Sequence, residues 1–202
     1  MEIVYVDSDL IVVNKPPGLL SVPGRGDDKQ DCAIHRIRMQ FPEALTVHRL
    51  DMATSGLLMF ALGPEWQRAL SKEFAERRVY KRYIALVNGQ LEGEETQWRT
   101  IDRPLLADWP NRPRQKIDLA NGRPSLTRYR VLARDGAGTR VELEPVTGRT
   151  HQLRVHMQAL GHPIVGDALY GPDPREGQRL LLHACALELP ARQLRLYSPA
   201  EF

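Results

Sequence analysis

Residues 57–62 read LLMFAL, six apolar residues in a row with no polar alternate. Directly after the small-residue stretch ATSG, such a run marks a buried β-strand rather than a half-exposed one. A strand of this kind needs partners, and the chain supplies them. EIVYV (2–6) and LIVVN (10–14) are β-rich runs separated by DSD, a short hairpin signal. YKRYIALVNG alternates like a strand and stops at the turn dipeptide Asn88-Gly89. Two more strands are expected near 126–134 and 139–145, RLLLHACALEL reads as a further buried strand, and QLRLYSP as a last short one. Helical signals are fewer. Residues 64–78 have Pro64 in the first turn and Trp66, Ala69, Leu70 and Phe74 at helical spacing. Residues 31–41 suit a helix carrying Ile34, Ile37 and Phe41, and HQLRVHMQALG reads as one closed by Gly161. The pattern predicts an α+β fold over residues 1–202: one domain with a largely antiparallel mixed central sheet flanked by helices.

Charge narrows the partner. The net charge is only +3, but the chain holds 23 Arg against 5 Lys. Arginine grips phosphate bidentately and stacks on bases, although a GC-rich genome also raises its count. Seven Arg and one Lys fall between Arg99 and Arg130 against three Asp, a local +5 that includes the Pro-rich stretch DWPNRPRQK (108–116). Two readings stand for this stretch: a nucleic-acid footprint, or a solvated irregular loop. Cys32 and Cys185 form neither a metal-binding spacing nor a disulfide framework and read as core residues of a reducing compartment. With no signal-peptide pattern and no apolar stretch of spanning length, the expectation is a cytoplasmic protein with no membrane partner.

The chemistry has few candidates. Asp51, in HRLDMATSG, has Arg49 two residues before it and a small-residue turn after it. An Asp there either caps its own turn or acts on a substrate. Six histidines invite a metal, but His151 and His156 lie five apart, on different helix faces, so none is expected. No Ser sits in a nucleophile elbow, and PGRG is too short for a phosphate-cradling loop. An aspartate-dependent hydrolase lacks a clearly paired second carboxylate. Arg154 is a suitable helical cation and Tyr83 a suitable strand phenol; spacing alone does not bring them to Asp51.

Four motifs, in order, then suggest a family. HRLDMATSGL resembles the catalytic motif of the RluA-type pseudouridine synthases. YKRYIALVNG resembles their second motif, GRTHQLRVHMQALGHPIVGDALYG their third, and RLLLHA the stretch that follows. His48 before Arg-Leu-Asp is similar to the RluA group rather than the RsuA group, and DWPNRPRQK to its dual-specificity branch. The first hairpin begins at residue 2, so no N-terminal S4 domain is expected. The resemblance implies Asp51 as the catalytic carboxylate, acting by attack at C1′, addition at C6 or formation of a glycal. It implies Tyr83 against the base, Arg154 as the cation that keeps Asp51 ionised, and Leu182 near the base. Arg49 would fill the space of a flipped uridine or hold a phosphate. His48, Arg112, Arg114 and Lys116 complete the expected RNA contacts. No cofactor is implied, because the isomerisation neither gains nor loses an atom. The implied partner is structured RNA: a tRNA anticodon stem-loop with uridine 32 and a 23S rRNA hairpin with uridine 746. With no heptad or apolar helix face demanding a second copy, a monomer is expected. A synthase with another rRNA target, or a non-catalytic RNA-binding module of the same fold, are the alternatives.

Overall fold

The computed structural model describes residues 1–136, 138–172 and 178–202. They form two compact units: Met1–Lys81 with His183–Glu201, and Arg82–Leu182 with Phe202.

The first unit is organised around the strand that LLMFAL announced. A hairpin of β1 (Glu2–Val6) and β2 (Leu10–Lys15) is followed by a short helix, α1 (Ala33–Arg38), and a three-residue strand, β3 (Ala44–Thr46). Then come β4 (Ser55–Leu62) and α2 (Pro64–Ala75); near the other terminus lie β11 (Leu182–Leu189) and β12 (Leu194–Tyr197). Antiparallel β2 runs along one edge of β4 from Lys15↔Gly56 to Leu10↔Ala61. The other edge is divided between β3 (antiparallel, at Phe60–Leu62) and β11 (parallel, at Ser55 and Gly56). With partners on both edges, residues 57–61 are wholly buried.

Alternation sorts the faces of this sheet. Leu10 and Val12 of β2 join Leu57, Met59 and Ala61 of β4 in one core with Leu70 of α2, Leu187 and Leu189, and Trp66 and Phe74 pack against it. Of the helical stripe expected in 64–78, Trp66, Leu70 and Phe74 are therefore core, whereas Ala69 is exposed. Gly56 is required where β4 meets β11: its φ is +108°, and a Cβ would lie 2.3 Å from the carbonyl oxygen of Ala184. Ser55 Oγ and His183 Nδ1, 2.9 Å apart, bind the same junction.

The second unit is an antiparallel sheet with β10 (Gly138–Pro145) between β5 (Tyr80–Val87) and β9 (Leu126–Asp135), and with β6 (Arg99–Asp102) on the far edge of β9. A separate hairpin pairs β7 (Leu105–Ala107) with β8 (Gln115–Ile117). Helix α3 (Gln152–Ala159) follows the TGRT turn. Buried His156 bridges Thr127 Oγ1 (2.8 Å) and the Arg103 carbonyl (2.9 Å), and burial holds its pKa below the ordinary imidazole value.

The α+β class and the mainly antiparallel pairing stand, and β4–β11 is a parallel pair among them. Residues 31–41 hold a helix of six residues, not eleven, because the chain turns at Met39–Phe41 ahead of Pro42. The 90–124 stretch contains β6, β7 and β8, which its charge and proline content conceal. No helix among the described residues is long and apolar enough to cross a membrane.

Candidate active site

The loop that carries Asp51 is held at alternate residues. At His48, the Met59 N–H donates to Nε2 (2.9 Å) and the ring stacks on Phe74 with centroids 4.5 Å apart. Burial, reinforced by the nearby Lys81 charge, pushes its pKa down to about 3, so the ring is neutral with its proton on Nδ1. At Leu50, the clamp is reciprocal: its N–H donates to Ser21 Oγ (3.0 Å) and Ser21 Oγ donates to its carbonyl (2.7 Å). At Met52, the carbonyl accepts from the Gly18 N–H (2.8 Å) and from Lys15 Nζ (3.1 Å). The loop closes with the Thr54 N–H donating to the Asp51 carbonyl at 3.1 Å. Residues 48, 50 and 52 are thus tied into the unit. Between them stand Arg49, exposed, and Asp51, half-buried.

His48, expected at the RNA, is in the structure the anchor of this loop. Lys15 is a site residue that sequence reading passed over. It is fully buried, and its ammonium also donates to the carbonyls of Pro16 (2.9 Å) and Leu19 (2.8 Å). Burial pushes its pKa down to about 8, and the attraction of the Asp51 carboxylate opposes that fall. A cation held by three carbonyls therefore fixes the PPG turn, the Asp51 loop and the local field at once. NKPPG, a Lys between an apolar strand and a rigid turn, was the available signal.

The second unit holds the other candidates. Tyr83 is half-buried on β5 opposite Leu143, and Leu182 is buried at the start of β11. Arg154 lies on α3 at 5% exposure; Nε and Nη2 donate to Asp167 Oδ2 (2.8 Å) and Oδ1 (2.7 Å). Asp167, 1% exposed, also accepts the N–H groups of Leu169 (3.0 Å) and Tyr170 (3.1 Å), so the pair is bidentate and its carboxylate further satisfied. The helix start behind Arg154 is fixed by buried Gln152. Its side chain meets Thr147 Oγ1, the Arg149 N–H, the Leu126 carbonyl and Thr127 Oγ1 within 3.0 Å. Asp167 carries no local signal within IVGDALYG: nothing near it shows that the acid thirteen residues after Arg154 folds back to the helix.

The basic hairpin loop is ordered by its own groups. The Asp108 N–H donates to the Arg114 carbonyl, and Asn111 Nδ2 to Asp108 Oδ2, each at 2.9 Å. Arg112 lies over the ring of Trp109, 3.3 Å from the centroid, and Trp109 is 63% exposed. A cation stacked on an exposed indole stands here beside exposed Lys116 and half-buried Arg114, a set of groups whose chemistry suits phosphates and unstacked bases.

Comparison with known proteins gives the family. The family profile described as RNA pseudouridylate synthase matches residues 9–159. The chain belongs to the RNA pseudouridylate synthase family. It is 50% identical over 187 residues to the dual-specificity RNA pseudouridine synthase RluA of Yersinia pestis, covering 91% of this chain and 89% of that one. The RluA of Escherichia coli K12 is 47% identical over 207 residues, 99% of this chain and 93% of its own. Among solved structures, human RNA pseudouridylate synthase domain containing 1 superposes with a TM-score of 0.80 at 34% identity, over 98% of this chain and 82% of that chain. Members of the family isomerise uridine in RNA to pseudouridine, and the sequence reading of family, fold and enzyme class stands.

Proposed function

We propose that this protein converts uridine to pseudouridine in the cytoplasm at two sites, position 32 of a tRNA anticodon loop and position 746 of 23S rRNA, with Asp51 as the catalytic carboxylate. The observation that carries this reading is the loop anchored at 48, 50 and 52, which presents Arg49 and Asp51 and nothing else between its anchors. The identity to dual-specificity relatives over nearly the whole chain supports the pair of targets.

In this reaction the N1–C1′ bond breaks, the uracil turns, and a C5–C1′ bond forms; the proton leaves C5 and N1 gains one. Asp51 initiates cleavage of the glycosidic bond. Tyr83 packs against the turning base and serves as the base for the C5 proton, and Arg154 keeps Asp51 ionised. Extruding the uridine costs a few kcal/mol, less from a loop than from a duplex, and Arg49 takes the vacated place in the stack. Arg112, Arg114 and Lys116 hold the phosphates of the loop.

The test is pseudouridine in two unmodified transcripts, an anticodon stem-loop with uridine 32 and a 23S fragment around uridine 746, resolved from uridine chromatographically because the isomers have equal mass. Product in both is expected. Product in one alone would remove the dual assignment, and bound RNA left unchanged in both would favour the non-catalytic module. Replacing Arg112, Arg114 and Lys116 together by Gln is expected to flatten the dependence of log K on log salt by about 2, at about 0.7 per lost contact to a single strand. An unchanged slope would remove the phosphate role of the hairpin.

A further inference from the structure

Hairpin β7–β8 and helix α3 border an open cleft of about 560 Å³. Sites for small ligands run to roughly 300–1,000 Å³, so the cleft has room for one nucleotide. Its lining is of three kinds. Arg114 and Lys116 supply cations from the hairpin; Ile117, Val155 and Ala159 supply an apolar patch; Asp108 and Gln158 supply polar edges. A phosphate calls for the first, the face of a base for the second, and the hydrogen-bonding edge of a base for the third.

The walls are fixed in place. Tyr170 is buried, and its hydroxyl accepts the Gln115 N–H (2.7 Å) and lies 2.7 Å from His151 Nδ1. That phenol ties the hairpin wall to the N-terminal end of α3. Its ring also lies near two cations: Arg114 of the cleft at 5.5 Å and Arg154 at 5.1 Å. One buried ring therefore backs both the cleft and the arginine of the catalytic set. Asp108 is likewise held, by Asn111.

We propose that this cleft takes one unstacked nucleotide of the substrate RNA other than the target uridine, and so sets a sequence preference in the loop. The proposal rests on the reading of the chain as an RNA-modifying enzyme. An ionised Asp accepts hydrogen bonds only, so the cleft favours a base with an exocyclic amino group over uracil.

The test is a cycle between protein and RNA read as binding affinity. Ala159→Trp, on the exposed last turn of α3, fills the cleft and leaves Asp51, Tyr83, Arg154 and the hairpin cations in place. Both Asp51→Asn and Asp51→Asn/Ala159→Trp are titrated with the anticodon stem-loop and with versions made abasic at each non-target loop position in turn. One abasic RNA is expected to bind the first protein at least tenfold more weakly. Ala159→Trp is expected to lose a similar factor on intact RNA, with no further loss on that one abasic RNA. A melting temperature equal to that of the parent confirms that the bulky ring has not unfolded the unit. Overturning results are an Ala159→Trp protein that binds intact RNA normally, or losses that multiply fully for every abasic RNA. Turnover is measured separately with the unaltered protein: coupling without pseudouridine would remove the proposed activity and leave the cleft.

Discussion

Asp51→Asn is expected to abolish pseudouridine formation, a loss of about 10⁴-fold or more in single turnover, while RNA affinity stays within several-fold. The substitution is nearly isosteric. It leaves the Asp51 carbonyl to accept from the Thr54 N–H, and the anchors at residues 48, 50 and 52 untouched. What it removes is the negative charge, and with it the basicity and nucleophilicity of the oxygen to which the proposed chemistry is assigned. The amide can neither attack nor take a proton at neutral pH, so the chemical step fails. Binding survives because the cations assigned to it, Arg49 and the hairpin Arg112, Arg114 and Lys116, are all retained. Nucleoside chromatography after incubation with excess enzyme gives the first quantity, and titration of labelled stem-loop the second. A rate within tenfold of the unaltered protein would remove Asp51 from the chemistry and return it to the competing reading of a side chain that closes its own turn.

The same loop shows what a sequence discloses and what it hides. HRLDMATSG is legible because local chemistry, small residues before an apolar run, already implies a fixed turn at the edge of a buried strand. Strand β4 is legible for the same reason, and so are β1, β2, β9 and β10, which pair with neighbours in the chain. The supports of the loop are another matter. Ser21 lies 29 residues from Leu50 and Lys15 lies 37 from Met52. A lysine before Pro-Pro-Gly looks like a surface residue until the structure shows three carbonyls closing on its ammonium. Strands β3, β6, β7 and β8 have three or four residues each, too few for alternation to register, and β6 pairs with β9 across more than twenty residues. Tyr170 stayed hidden because its value comes from Gln115 and His151, which it joins in space.

The second large effect is expected at Asp167, a positioning residue rather than a catalytic one. Asp167→Ala takes from Arg154 the acceptor of Nε and Nη2, and it strips the Leu169 and Tyr170 N–H groups of theirs. Removing one partner of a buried ion pair costs about 3–5 kcal/mol, because the other charge stays behind in a poorly solvated place. In a chain of this length each kcal/mol is worth about 2–4 °C, so melting should fall on the order of 10 °C. Turnover at saturating RNA, measured well below the lowered midpoint, should fall about 100-fold or more, in line with the loss of a well-placed electrostatic group. The salt slope of binding should stay as it was, since the hairpin cations are not touched. Asp167→Asn separates geometry from charge. Its amide oxygen can still cap the turn and accept one guanidinium N–H, so most of the melting loss should be recovered. The turnover defect should persist, because the neutral amide no longer holds the guanidinium by two charge-assisted bonds. If Asp167→Asn restored both quantities, the charge would be dispensable and the turn alone would position Arg154. If Asp167→Ala moved neither, the pair would have no part in fixing the arginine on which the proposed chemistry depends.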